Sequence, residues 1–324
     1  MARSQALTVI WRDATRRGVN RRGVNRRGVN RREVNRRSVS RWMAQWRTTL
    51  ALALLAALAI GALLVPALAS TDPLAIGDVI ATRLLPPWST DVHGHFHLLG
   101  TDAFGRDMFA RIMLAGRISL AIGVVGSLLA ALAGTTVGAL AAWHGGALDR
   151  STMAVTDAML SVPRLVLLLV IASLWSPGLA MVVIVLVATG WMGVARLVRG
   201  EVLGVRERPF VDSAVSLGAP SSRVLWRHVL PNALGPAIVA ATLGVGNAIL
   251  LESGLSFLGL GIQPPRPSWG NMIAGGRDVI VTAPWVSVAP GLMLVLTVLG
   301  CTLLGDALRD RLAGEGGQAL GERA

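Results

Sequence analysis

The stretch RGEVLGVRERPFVDSAVSLGAPSSRVLWRHVLPN, Arg199 to Asn232, interrupts an apolar chain with a block rich in arginine, proline and small residues. Its punctuation predicts helix, turn, helix. Phe210 to Leu217 makes a short helix, Gly218 supplies the break, Pro220 suits an early helical position, and a second helix ends before Pro231. Such a pair either presents a rigid knob to a groove on another protein or lies as a hairpin on lipid headgroups.

Working outward, apolar runs flank this block on both sides. Crossing a bilayer core takes about 20 residues at 1.5 Å each. Leu50–Leu68, Ile118–Ala142, Leu179–Val198, Ala233–Leu258 and Trp285–Leu304 all meet that length or come close to it. Leu50–Leu68 carries no charge and is flanked by Trp42, Trp46 and Arg47, which suit the interface. It reads as an uncleaved signal anchor; the alternative is a cleaved signal peptide, since Ala67 and Ala69 imitate a cleavage site. In the second run Ala130, Gly134 and Gly138 put small residues on one helix face, where a neighbouring helix can approach closely. Leu165–Trp175 is too short alone and could be re-entrant. A helix starting near Asp149 and kinked around Pro163 would cross, and that version is adopted.

Six crossings put both termini on one side, and the arginines test the arrangement. The N-terminal tail, the Arg196–Arg227 block, Arg309 and Arg311 fall on that side. The opposite loops carry fewer, chiefly Arg83, Arg106, Arg111, Arg117, Arg266 and Arg277. The arginine-rich side is therefore expected in the cytoplasm. Expected segments are a basic tail over 1–47, the first span with an extracytoplasmic segment over 48–117, a five-helix transmembrane unit over 118–310 containing the loop 199–232, and a cytoplasmic tail over 311–324.

Composition agrees with membrane burial. The 324 residues are 53% hydrophobic and 15% charged, with a mean hydropathy of +0.58. The net charge of +13 sits mostly in the first 47 residues, where five pentamers run from Arg16 to Ser40. Such a tail is too polar to bury, and its arginines can touch anionic headgroups rather than nucleic acid. Repeat expansion with little function, or a start at Met43, is the favoured reading of the pentamers. All 31 basic residues are arginine, so no phosphate-binding loop ending in lysine exists in this chain. Any ATP hydrolysis must be a partner's. Cys301 reads as a packing residue, and the trio His93, His95 and His97 as solvated decoration rather than a metal site.

Asp212, Ser213, Ala214, Gly218, Ala219, Leu230 and Pro231 together resemble the coupling loop of ABC importer permeases, with Asp and Ser where that pattern has Glu and Ala. HLLGTDAFGRDMFARIMLAGRISL (His97–Leu120), ATLGVGNAILLESGLSFLGLGIQPPRPSWGNMI (Ala241–Ile273) and GLMLVLTVLGCTLLGDALRD (Gly291–Asp310) resemble the second permease subunit of dipeptide, oligopeptide and nickel importers. The resemblance implies an all-α integral membrane protein of the type I importer fold, with six transmembrane helices and a cytoplasmic coupling helix. It further implies a second homologous permease subunit, two partner ATPase subunits using ATP and Mg, and an extracytoplasmic solute-binding protein in a bacterial inner membrane. The subunit itself is expected to hold no cofactor and to catalyse nothing.

Glu252, inside an apolar run, is a pore or gate candidate, with a hydrated or structurally paired carboxyl as the equal alternative. Gly100, Thr101, Asp102, Gly105, Arg106 and Asp107 form a turn-rich segment in which Thr101 or Asp102 could cap a helix. The resemblance places that segment at the outer mouth or against the binding protein. The rigid loop with Pro264, Pro265, Pro267 and Trp269 is expected to be exposed for the same contact. A stand-alone secondary transporter with Glu252 as its ion site is the rival class, but no inverted repeat is evident. A membrane-bound enzyme lacks a convincing nucleophile, metal cluster or acid–base pair.

Overall fold

The computed structural model describes residues 46–69, 72–76 and 78–321, with side chains described as far as Leu312. The pentamer block and Met43 lie outside the described residues. The chain divides into two units, Met1–Thr49 and Leu50–Ala324. Of the first, only residues 46–49 are described.

Helix α1 spans Trp46–Leu68. A short helix α2 (Val79–Thr82) and an antiparallel pair, β1 (Ser89–Thr90) with β2 (Phe96–His97), follow in register Ser89 to His97 and Thr90 to Phe96. Then come α3 (Met108–His144), α4 (Gly146–Ser161), α5 (Arg164–Ala172) and α6 (Leu179–Arg206). The polar block holds α7 (Pro209–Ser216), α8 (Ser221–Arg223), a π-helical turn over Val224–Val229 and α9 (Leu230–Ala233). The chain continues through α10 (Gly235–Phe257), α11 (Trp269–Gly275) and α12 (Trp285–Gly321). By length and composition α1, α3, α6, α10 and the Trp285–Leu312 part of α12 can each cross a membrane, and α4 with α5 qualifies as a broken sixth span.

The spans sit where apolar continuity put them, while their ends follow capping. Helix α3 begins ten residues before Ile118 because the Asp107 carboxylate accepts the N–H of Ala110 at 2.8 Å and caps it there. It meets α6 through its small-residue face. A Cβ on Gly134 would strike the Trp191 carbonyl, and one on Gly138 the Ala195 carbonyl, so only hydrogen fits between these backbones.

The third segment differs from its expected form. In place of a kink the chain turns through 92° between α4 and α5. Val162 is extended, because the proline ring drives the residue before it out of the helical region. Polar α4 lies along α6: Arg199 grips Asp149 through two bonds of 2.5 and 2.6 Å, and Arg196 pairs with Asp157.

Helix α1 contains Pro66, which cannot donate to the Ala62 carbonyl one turn back. Arg117 on α3 replaces that donor, with Nε 2.6 Å from the Ala62 oxygen and Nη2 2.5 Å from the Leu63 oxygen. In lipid, a carbonyl freed by proline must find such a substitute.

Candidate functional site

At the arginine-rich end, α7 is seated by Val211, which is buried, and by Ala214. They rest in an apolar cluster with Ala139 and Ala142 of α3, Val198, Val202 and Val205 of α6, and Val224, Leu225, Val229 and Leu230 of the second half of the block. The seat is closed by Trp143, whose indole N–H donates to the Ser221 hydroxyl at 2.7 Å. Gly218 follows α7 with φ +82° and open space around its Cα, the left-handed cap that ends a helix.

This seating sorts the loop residues. Ala219 and Leu230 face the bundle with Ala214, whereas Asp212, Ser213, Pro231, Val215 and Leu217 are exposed, Leu217 at 87%. The result is a firmly based knob with an outward apolar tip beside one carboxylate. One expectation fails: the second helix does not stop before Pro231 but runs on to Ala233. The π-turn absorbs the ring, with the Leu230 N–H reaching back five residues to the Leu225 carbonyl. Wide turns of this kind accommodate what an α-helix cannot.

Midway along the bundle lies a cavity of about 480 Å³, within the range of small-molecule sites. It is walled by Ser127 and Ala130 of α3, Gly190 and Gly193 of α6, Asn247 of α10 and Thr302 of α12, and Arg164 of α5 reaches it. Sequence reading singled out none of these as a ligand contact. The visible signal was an arginine directly after a proline at the head of an apolar run.

Glu252 is fully buried and lines none of the cavities described here. Its carboxyl accepts from the Ser256 hydroxyl at 2.7 Å and the Ser119 hydroxyl at 3.1 Å. Ser256 in turn accepts the Ile262 N–H at 3.0 Å, which ties the following loop to α10. Glu252 thus joins α10 to α3 through hydroxyl groups.

At the opposite end the turn-rich segment folds into an interior knot. Thr101 is fully buried, donating to the Thr82 carbonyl at 2.6 Å and accepting the Leu85 N–H at 2.8 Å. Asp102 accepts the Phe104 and Arg106 N–H groups and the Arg106 side chain at 2.8–3.0 Å. Neither caps α3; Asp107 does, and its other oxygen meets His97 Nδ1 at 2.8 Å. Gly100 and Gly105 have φ of +74°, and a Cβ on either would collide with the Leu85 carbonyl or the Thr82 hydroxyl. Trp269 is corrected from exposed to buried, at 2%. Its indole N–H donates to the Ile112 carbonyl at 3.0 Å and its ring covers Gly116. What faces outward is a second cavity of about 420 Å³ bordered by Phe104, Arg106, Pro264, Pro265 and Arg266.

The histidine trio separates. His97 is buried, whereas His93 and His95 are exposed on the turn that Asp91 organises. Burial would raise the Asp91 carboxyl, but the backbone N–H and ring of His95 and the backbone N–H of His93 hold it down at about 2.

Residues 134–314 match the family described as the binding-protein-dependent transport system inner membrane component. Among curated proteins the chain is 42% identical to a putative peptide permease protein of Brucella suis biovar 1, over 72% of this chain and 76% of that one. It is 42% identical to the dipeptide transport system permease protein DppC of Alkalihalophilus pseudofirmus, over 67% and 71%. It is 40% identical to the glutathione transport system permease protein GsiD of Pectobacterium atrosepticum, over 67% and 72%. Among solved structures, a chain of the inward-facing MetNI methionine ABC transporter superposes with a TM-score of 0.52 at 20% identity, over 63% of this chain and 97% of that one. That likeness is one of fold.

Proposed function

The chain belongs to the binding-protein-dependent transport system inner membrane components, and from that premise we propose that it lines half the path of an ATP-driven importer for short peptides. Solute moves inward by alternating access, between two packings of the helices that differ by a modest free energy. A second homologous permease subunit completes the path. Two ATPase subunits supply the work with ATP and Mg, and an extracytoplasmic binding protein delivers the peptide. The protein sits in a bacterial inner membrane with both termini in the cytoplasm, as the arginine distribution favours.

The observation that carries this reading is the knob: α7 is anchored through Val211 and Ala214 while Asp212, Val215 and Leu217 face away. A lever must be stiff at its base and apolar at its tip to be gripped. The names of the relatives support peptides as the solute. The outer groove beside Phe104 and Arg266 is the docking surface for the binding protein, held in shape by Gly100, Thr101, Asp102, Gly105, Arg106, Asp107 and Trp269 from within. Glu252 braces the outer gate rather than lining the pore.

The test is uptake by the complete complex in proteoliposomes together with labelling of Ser221→Cys. ATP-dependent accumulation of di- and tripeptides is expected, with the new thiol unreactive toward an impermeant maleimide in intact cells and reactive in inverted vesicles. Solute movement by this polypeptide alone without nucleotide, or labelling from outside, would defeat the reading.

A further inference from the structure

Arg164 stands at the sharp turn between α4 and α5 and borders the central cavity. Ser127 near the middle of α3, and Gly190 and Gly193 near the middle of α6, place that cavity at mid-depth of the bundle. A cation there is costly unless something balances it. Its Nε is buried with no hydrogen-bond acceptor, and among the described residues no carboxylate lies within salt-bridge distance of its guanidinium.

Three other arginines on crossing helices are answered. Arg117 has the two α1 carbonyls, Arg196 has Asp157 and Arg199 has Asp149. Gly190 lies against the same guanidinium: a Cβ there would make ordinary contact with Nη2 at 3.5 Å, while its close neighbour is Ala130. Of the polar side chains in the wall, Ser127 already donates to the Ala241 carbonyl at 2.7 Å and Thr302 to the Val298 carbonyl at 2.8 Å. The amide of Asn247 has no partner among the described residues and is exposed to the same space.

We infer that Arg164 receives the free carboxylate of the transported peptide in this cavity, with the Asn247 amide meeting an adjacent peptide group. The chemistry fits. A guanidinium forks onto a carboxylate with two parallel bonds, and an amide pairs with another amide through one donor and one acceptor. Mid-depth placement disfavours a lipid phosphate, which stays at the interface. This inference rests on the peptide-importer reading and gives it a specificity element inside the membrane.

The experiment compares a peptide with its C-terminal amide in the reconstituted complex at saturating binding protein. Loading of the binding protein with each is measured separately, and rates are expressed per loaded protein. Wild type should carry the free acid faster than the amide. Arg164→Gln should cut the free-acid rate about ten- to a hundredfold, the factor carried by a lost charged hydrogen bond, and leave the amide rate unchanged. Arg164→Lys should restore part of the preference, and both variants should co-purify with their partners. Equal losses for acid and amide, or no loss, would overturn the inference. So would failure of both variants to assemble, since that assigns the arginine to an acidic group on the partner permease. Absence of any ATP-dependent peptide uptake by the wild-type complex would instead sink the functional reading, and this inference with it.

Discussion

Leu217→Ala tests the knob at its tip. Leu217 is the C-cap of α7 and is 87% exposed, so the substitution removes three of its four side-chain carbons from water-facing surface and leaves the fold of the subunit unaltered. If the ATPase subunit covers it, each carbon group taken out of water contributes about 0.8 kcal/mol to docking. Scaling by the exposed fraction leaves about 2 kcal/mol, or roughly a thirtyfold weaker association. The assay is titration of purified ATPase onto the permease pair in nanodiscs, read by fluorescence anisotropy, beside peptide-stimulated ATP hydrolysis. Thermal stability of the permease pair should stay within about 0.5 kcal/mol of wild type, as for a surface change. Wild-type affinity in Leu217→Ala, or a loss matched by an equal loss of permease stability, would refute the idea that α7 is gripped at its tip.

Three further outcomes follow from the packing. Gly138→Leu should separate α3 from α6 at the Ala195 carbonyl and cost about 1–3 kcal/mol, lowering the unfolding midpoint in a detergent melt, whereas the same change at Gly193, which has open space, should be mild. Arg117→Leu should leave the Ala62 carbonyl of α1 without a donor, and hydrogen exchange should rise around Pro66 while α6 stays protected. The Asp91 carboxyl titrates at about 2 in the fold against 3.8 otherwise, so its stabilisation is present above pH ~4 and is lost as pH falls toward 2. Protection factors across residues 89–97, which divide out the intrinsic pH dependence of amide exchange, should therefore fall over that window in wild type and show no such step in Asp91→Asn.

The unbroken spans were legible because lipid imposes a rule that soluble cores do not: a lipid-facing crossing must satisfy its own backbone polar groups, which a long apolar helix does. The α3–α6 contact was legible for a related reason, since Gly134 and Gly138 recur at helical spacing and only small residues let two backbones meet. What escaped was set by partners distant in sequence. Trp269 was expected outside because prolines surround it, yet the Ile112 carbonyl, 157 residues away in the chain, takes its indole N–H. Pro231 reads in sequence as a stop, but a helix can widen by one residue per turn when neighbours such as Val229 and Leu230 are pinned in a core. The 92° break was visible only as Pro163, and a proline alone does not distinguish a kink from a corner.

The same distinction between local and distant causes bears on how the knob could drive the cavity. Helix α3 has 37 residues, about 55 Å, and reaches from the Asp107 cap at the outer knot to Trp143 at the base of α7. Midway its Ser127 hydroxyl is bonded to the Ala241 carbonyl of α10, and lower down its glycines are locked against α6. One rod thus touches the knob's seat, the cavity wall and the outer cavity beside Arg106. Displacing α7 while its apolar seat stays packed must shift the ends of α3 and α6 together, because the Gly134 and Gly138 contacts leave no room for sliding without a clash. Arg164 hangs on the other side of the cavity, on a helix tied to this rod pair chiefly through α6. A motion that rotates α6 therefore changes the distance between Arg164 and Asn247, and with it the fit of any peptide whose carboxylate meets the first and whose amide meets the second.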